Sequence, residues 1–225
     1  MIRLSNVSKS FQTRGASRVV ARNISVTFPT GISVALMGRN GAGKSTLIEM
    51  ISGSTQPDRG EIITDGTISW PVGFAGSFHR ELTGAQNTRF IARVYGVDTD
   101  ELSDFVEDFA ELGAHYHMPF RTYSSGMRSR LSFGVSMGIR FDTYLIDEVT
   151  GVGDAVFRQK SSMVLRERLK TSSAILVTHS LKKINRYCQA GAVLENGRLT
   201  YFDDVTEAVD RHSANMGADA TEEEF

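Results

Sequence analysis

Hydrophobic and polar positions change their spacing several times along the chain, and each spacing predicts a type of element. Residues 33–37 (SVALM) form a short apolar run that ends in a glycine-rich turn, which is typical of a buried strand. Residues 44–51 carry apolar side chains at helical spacing, and Gly53 and Pro57 end that helix. The first part of the chain therefore predicts β structure followed by a strand–turn–helix unit.

The pattern becomes helical in the middle of the chain and returns to alternating strands and helices after residue 140. Residues 61–64 and 67–70 predict a hairpin around an Asp-Gly turn. Residues 83–140 hold few strand signals, and the predicted helix at 126–139 carries Gly134 and Gly138, which indicate close packing against a neighbour. Beyond it we expect strands at 143–146 and 174–177, helices at 156–169 and 181–187, and two short strands around an Asn-Gly turn.

Composition narrows the class of protein. The chain has 225 residues and a 40% hydrophobic content, which suits one globular domain, alone or with a subdomain. A formal net charge of -1 gives no overall basic field, so nucleic acid is not an expected partner. The single cysteine, Cys188, excludes an intramolecular disulfide and is expected to be a buried apolar residue. No apolar run approaches the ~18–20 residues that span a bilayer.

Residues 38–45 (GRNGAGKS) match the pattern G-x-x-x-x-G-K-[ST] between the predicted strand and helix. Glycines let backbone N–H groups turn toward phosphate, and the helix N-terminus adds partial positive charge. We expect Lys44 to neutralise the β- and γ-phosphates and Ser45 to hold Mg²⁺. The alternative, a glycine-rich turn with a chance Lys-Ser pair, is disfavoured by the strand–helix context. The predicted nucleotide-binding residues here are Gly38, Arg39, Asn40, Gly41, Ala42, Gly43, Lys44, Ser45 and Thr46.

Residues 145–148 (LIDE) form an apolar strand that ends in two acids, at the sheet edge where α/β folds bind ligands. We expect Asp147 to be a Mg²⁺ residue together with Ser45. Because side chains alternate along a strand, Glu148 points elsewhere and is placed to polarise a water that attacks the γ-phosphate. The alternative is a pair of solvated carboxylates, which the neighbouring P-loop disfavours. Residues 123–127 (YSSGM) add a helix cap at Ser124 or Ser125, which alone indicates only a helix N-terminus.

The order of these motifs, followed by a lone histidine, resembles the ABC (ATP-binding cassette) ATPase family over nearly the whole chain. The resemblance implies an α/β fold in which a P-loop NTPase core of mixed or parallel sheet and flanking helices carries an antiparallel β part and an inserted helical subdomain. It implies one nucleotide-binding domain over residues 1–225. Within it we expect a core at 1–75 and 141–213, a helical subdomain at about 76–140 and an acidic tail at 214–225.

The resemblance also implies roles for further residues. Residues 123–127 are similar to the family signature, usually LSGGQ, with matches at two positions and departures at three. His179 looks like the switch histidine that contacts the γ-phosphate, although a histidine near a helix N-cap is the alternative. Phe11 looks like the aromatic residue that stacks on adenine, although a core phenylalanine is the alternative. The implied set is catalytic Glu148 and His179, and nucleotide-binding Phe11, Ser124, Ser125, Gly126, Met127 and Asp154, the acid of the loop after residue 150.

One departure narrows the family. The glutamine usually found at the start of the helical insertion is missing from residues 72–78, and Gln86 lies too late to replace it. The stretch 69–73 (SWPVG), with this missing glutamine, resembles the ATPases of capsular polysaccharide exporters. The alternatives are the related ATPases that export O-antigen or teichoic acid and, from another class, a soluble P-loop phosphotransferase.

The family resemblance implies cofactors and partners. ATP and Mg²⁺ are expected in two equivalent sites of a head-to-tail homodimer, because the chain has one P-loop and one signature motif. A separate integral membrane permease dimer is expected to hold the protein at the cytoplasmic face of a bacterial inner membrane. A periplasm-spanning polysaccharide co-polymerase and an outer-membrane export protein complete the expected assembly. Arg121, Arg128 and Arg130 are expected to be a solvated helix face, with a role near phosphate or a permease loop as the alternative.

Overall fold

The computed structural model describes residues 1–13, 15–73, 76, 78–147 and 154–220. The chain divides into two compact units. The first unit contains residues 1–71, 142–148 and 171–225, and the second contains residues 72–141 and 149–170. The predicted core includes residues 141–213, whereas residues 149–170 group with the helical unit.

A six-stranded sheet forms the centre of the first unit. In sheet order its strands are β5, β6, β7, β3, β8 and β9, and only the last pair is antiparallel. The central strands are buried along their whole length, as the apolar runs predict. The strands are β3 (Val34–Met37), β5 (Ile68–Pro71), β6 (Thr143–Asp147), β7 (Ser173–Val177), β8 (Ala190–Glu195) and β9 (Arg198–Phe202).

A three-stranded antiparallel sheet also belongs to the first unit. Its order is β2 (Ala16–Phe28), β1 (Ile2–Thr13) and β4 (Arg59–Thr64). The predicted hairpin between residues 61–64 and 67–70 is therefore wrong, because β4 pairs with β1 and β5 pairs with β6. Asp142 holds the start of β5, since its carboxylate accepts bonds from the Thr67 N–H at 2.7 Å and the Thr67 hydroxyl at 2.8 Å.

The described residues of the first unit also form the helices α1 (Lys44–Ile51), α6 (Leu181–Tyr187) and α7 (Val205–Ala220). The apolar side of α1, including Leu47 and Ile48, is buried in one hydrophobic cluster with side chains of both sheets. The predicted tail at 214–225 is wrong in part, because α7 continues to Ala220. No helix among the described residues is long and apolar enough to cross a membrane.

The second unit is helical, as predicted. It contains α2 (Gly84–Tyr95), α3 (Thr99–Ala110), α4 (Ser125–Gly138) and α5 (Ala155–Arg168), with short 3-10 turns before α4. Gly134 and Gly138 of α4 face α3: a Cβ at Gly134 would lie 3.2 Å from the Phe109 ring, and one at Gly138 would overlap Leu102. Close approach of the two helices is thus the reason for residues that disfavour helix.

Candidate nucleotide site

The loop between β3 and α1 has the backbone of a phosphate cradle. Gly38, Gly41 and Gly43 all have positive φ, at 150°, 77° and 107°. A Cβ at Gly38 would overlap the Leu194 carbonyl, and a Cβ at Gly43 would overlap the Val20 side chain. Glycine is therefore required at these two positions by both conformation and space.

Lys44, the first residue of α1, extends back over this loop. Its Nζ donates to the carbonyl oxygens of Gly38 at 2.7 Å and Arg39 at 3.0 Å. The Ala42 N–H donates to the Arg39 carbonyl at 3.1 Å and closes the turn. The loop thus holds an ammonium group beside the N-terminus of α1, where partial positive charge favours an anion.

Ser45 and Asp147 meet at the carboxyl end of β6. The Ser45 hydroxyl donates to the Asp147 carboxylate at 2.8 Å. A hydroxyl and a carboxylate on adjoining elements are oxygen ligands of the type Mg²⁺ takes, so these residues fit the predicted metal site. Glu148, the predicted water-activating residue, lies outside the described residues, as do Gly151, Val152 and Gly153.

Nine of the predicted site residues line one cavity in the first unit. Phe11 lies on β1 with 41% of its surface exposed, so the alternative of a core phenylalanine is wrong. His179 follows β7, and its ring lines the same cavity as Phe11 and the P-loop. The lining residues from the predicted set are Phe11, Asn40, Gly41, Gly43, Lys44, Ser45, Thr46, Asp147 and His179.

The predicted signature segment lies in the second unit at the start of α4. Ser124 is the N-cap: its side-chain oxygen accepts the Met127 N–H at 3.2 Å. Ser124 and Ser125 are exposed, and Gly126 and Met127 line a shallow cleft that also includes Asp154. The cap leaves polar groups at a solvent-facing helix N-terminus, which suits an anion.

Asp154 contacts α4 through an ion pair with Arg130. Its carboxylate caps α5 by accepting the Phe157 N–H at 2.9 Å, and it accepts from the Arg130 guanidinium at 2.6 Å. The Phe157 bond and then the Arg130 charge keep the pKa of Asp154 below its usual value. Arg130 also lies 3.6 Å from Glu111 and is only 20% exposed.

The expectation of a solvated arginine face is therefore wrong for Arg130. Its ion pairs join positions 24 and 19 residues apart, and no local pattern in the sequence indicates them. A second residue that the sequence reasoning missed is Arg18 on β2, which lines the nucleotide cavity. It precedes the P-loop by 20 residues, and the β1–β2 pairing places it opposite Phe11 at the cavity.

The fold and this site together are those of an α/β domain with a phosphate-binding P-loop and an adjoining carboxylate. The ABC transporter family model matches residues 21–151, and this chain belongs to that family. The predicted class, an ABC-type ATPase, is thereby confirmed.

Sequence relatives narrow the group. The chain is 46% identical to the polysialic acid transport ATP-binding protein KpsT of Escherichia coli, over 97% of this chain and 99% of the relative. It is 45% identical to the capsule polysaccharide export ATP-binding protein CtrD of Neisseria meningitidis serogroup B, over 95% and 99%. The O-antigen export ATP-binding protein RfbB of Klebsiella pneumoniae is more distant, at 37% identity over 85% of this chain and 80% of the relative. The predicted resemblance to capsular polysaccharide exporters is confirmed.

Solved structures agree on the fold. The ATP-binding cassette MJ0796, in a dimeric post-hydrolysis state bound to ADP and Pi, matches with a TM-score of 0.75 over 91% of this chain and 99% of that chain. The sequence identity is 19%, so this similarity supports the ABC ATPase fold and nothing finer. The predicted fold class is confirmed.

Proposed function

We propose that this chain is the ATP-hydrolysing subunit of an ABC exporter that moves capsular polysaccharide across the inner membrane through a separate permease. The observation that carries the chemistry is the Ser45–Asp147 contact beside the Lys44 loop. The observation that supports the substrate is the 45–46% identity to relatives named for polysialic acid and capsule transport. It extends over nearly the full length of this chain and of each relative.

Different residues of the cavity bind different parts of the nucleotide. Phe11 offers an exposed ring for adenine, and Lys44 with the loop amides takes the β- and γ-phosphates. Bound Mg²⁺, held by Ser45 and Asp147, would neutralise charge on the phosphate oxygens. Glu148 orients and deprotonates the attacking water, and His179 contacts the γ-phosphate.

The site is completed by a second copy of the chain. Ser124, Ser125, Gly126 and Met127 present a capped helix N-terminus to solvent, and a phosphate needs such a group on its open side. A head-to-tail homodimer gives two equivalent sites, each with the P-loop of one copy and the signature segment of the other. Asp154 lines the same cleft as that segment, so we expect it to lie at this contact. ATP joins the copies, and hydrolysis releases them.

The permease binds the outer face of α2. This face combines Phe90 and Val94, which are 53% and 61% exposed, with Arg89 and Arg93. Neither arginine has a carboxylate within ion-pair distance among the described residues. A cytoplasmic permease segment with apolar and acidic side chains complements this face and holds the ATPase at the cytoplasmic side of the membrane. A periplasmic co-polymerase and an outer-membrane export protein complete the route.

Phe78 is a poor candidate for a permease contact, because it is buried. The ring is 8% exposed and packs edge-on against Phe120, with 5.3 Å between ring centroids. Phe74, in the same segment, lies outside the described residues. The test of docking therefore belongs on α2.

Purified protein tests the chemistry through phosphate release from Mg-ATP. Wild type should hydrolyse ATP, Lys44→Ala should lose nucleotide binding, and Glu148→Gln should bind ATP, accumulate a dimer and release little phosphate. Phosphorylation of an added acceptor in place of free phosphate would instead favour a phosphotransferase.

A transport assay tests the substrate. In an encapsulated bacterium that lacks its own export ATPase, this chain with its permease should restore polysaccharide at the cell surface, and the Lys44→Ala variant should leave it inside. Restored O-antigen with intracellular capsule would replace the capsular assignment by the O-antigen alternative. Active ATPase that restores neither polymer would remove both substrates.

A further inference from the structure

Arg18 lies directly across a strand pair from Phe11. The two residues are Cα partners in the antiparallel β1–β2 ladder, so their side chains leave the sheet on the same face. Val20, two residues further along β2, lies where the β1–β2 register shifts, and all three residues line the nucleotide cavity. The wall that holds the proposed adenine-stacking ring therefore also carries a guanidinium.

The Arg18 side chain extends from this wall to the P-loop. One guanidinium nitrogen donates to the carbonyl oxygen of Gly41. A Cβ at position 41 would lie 2.8 Å from that nitrogen, so the glycine also makes room for the arginine. Across the described ranges, no carboxylate lies within ion-pair distance of Arg18. A guanidinium has five N–H donors, and the bond to Gly41 uses one of them.

These contacts place Arg18 between the two ends of the cavity. The proposed base position is at Phe11, and the proposed β- and γ-phosphate position is at Lys44 and Ser45. A nucleotide that reaches both ends must pass the guanidinium with its ribose and α-phosphate. An arginine with free donors and no acid partner is suited to a phosphate oxygen, because the charge-assisted bond needs no acid to be displaced.

We propose that Arg18 binds the α-phosphate of the nucleotide while it holds the Gly41 carbonyl. This inference rests on the proposed ATP site. It adds a second cation to the cavity, one that acts on the phosphate shared by ATP and ADP rather than on the terminal phosphate. Arg18 therefore raises affinity for both nucleotides and does not distinguish them.

Isothermal titration of purified protein with ATP and with ADP tests the proposal. Arg18→Gln should raise both dissociation constants by about tenfold, which is typical for loss of a charge-assisted bond. Arg18→Lys keeps the positive charge but lacks the paired N–H donors of the guanidinium, so both dissociation constants should rise less, by about threefold. Arg22→Gln is the matched control: Arg22 lies on the same strand, is exposed and lines a different cavity, so its affinities should equal those of wild type.

The other outcomes are equally definite. Dissociation constants of Arg18→Gln within twofold of wild type overturn the proposal, even if the melting temperature without nucleotide falls, because Arg18 would then only brace the loop. Loss of ATP affinity with ADP affinity unchanged overturns the α-phosphate assignment. If Arg18→Gln does not fold, unchanged nucleotide affinity of Arg18→Lys would also overturn the proposal. Wild-type protein that binds neither nucleotide removes the proposed function itself, whereas normal binding by both Arg18 variants removes only this inference.

Discussion

The Ser45 hydroxyl donates to the Asp147 carboxylate at 2.8 Å, although 102 positions separate the two residues. Ser45 is in the first turn of α1, and Asp147 is the last residue of β6. The parallel sheet places the ends of β3 and β6 at one edge, so two motifs that are far apart in the sequence become one site. Their contact marks where phosphate and Mg²⁺ are proposed to meet.

Asp147→Asn should separate nucleotide binding from its Mg²⁺ dependence. The amide can still accept the Ser45 bond, but it lacks the charge that a divalent cation requires. We expect ATP affinity without Mg²⁺ to be close to wild type, while the gain in affinity on adding Mg²⁺ falls by at least about tenfold. Titrations with and without Mg²⁺ measure both values. A full Mg²⁺ gain in the variant would place the metal elsewhere.

Asp154 has two contacts that substitution can separate. Asn keeps a side-chain oxygen that can cap α5 but removes the ion pair with Arg130, whereas Ala removes both. The ion pair is exposed on the Asp154 side, so it contributes little to stability. The melting temperature of Asp154→Asn should therefore stay near that of wild type, and that of Asp154→Ala should fall. Equal melting temperatures for the two variants would show that the cap does not matter.

The permease contact can be tested on the α2 face. Because Phe90 and Val94 are exposed, Phe90→Ser and Val94→Ser should keep the fold and the ATPase activity of the isolated protein but reduce co-purification with the permease and polysaccharide export. Met163→Ser on α5 is the control, since Met163 is 62% exposed on a different helix. Export at the control level in both α2 variants would exclude this face.

Phe78→Ala should behave differently from the α2 variants. Removing a buried ring leaves a cavity against Phe120, so unfolding should become easier by about 3 kcal/mol or more. Denaturant unfolding measures the change. A stable variant that loses only permease binding would show that Phe78 contacts the permease.

Cys188 should be unreactive in the folded protein. Burial disfavours the charged thiolate and raises the pKa of the thiol to about 12. Thiolate is the form that attacks disulfide reagents, so at pH 8 the folded protein should not react with Ellman's reagent, and one thiol should appear only in denaturant. Rapid reaction of the native protein would show that the side chain is accessible.

The P-loop could be predicted from sequence because its chemistry depends on adjacent residues. Gly38, Gly43 and Lys44 act within one short turn, so their spacing alone indicates the loop. Long-range pairing could not be predicted in this way. The Asp-Gly turn after β4 has a hairpin pattern, but β4 pairs with β1 and β5 pairs with β6, so the two strands do not pair with each other.

The same limit applies to individual side chains. Arg18 reaches the site through strand register, and Arg130 is paired through helix packing with Asp154. Both look like ordinary surface arginines in the sequence. The extension of α7 to Ala220 was missed because its later part lacks apolar residues at regular helical spacing.

The central claim is an ATPase site shared between two copies of this chain, and mixing two inactive variants tests it most directly. Lys44→Ala damages only the P-loop, and Gly126→Asp damages only the signature segment. In a mixed dimer one site carries both defects and the other carries none, so an equal mixture should recover about a quarter of wild-type phosphate release. A mixture that stays at the level of the separate variants, with mixed dimers present, would contradict the shared site.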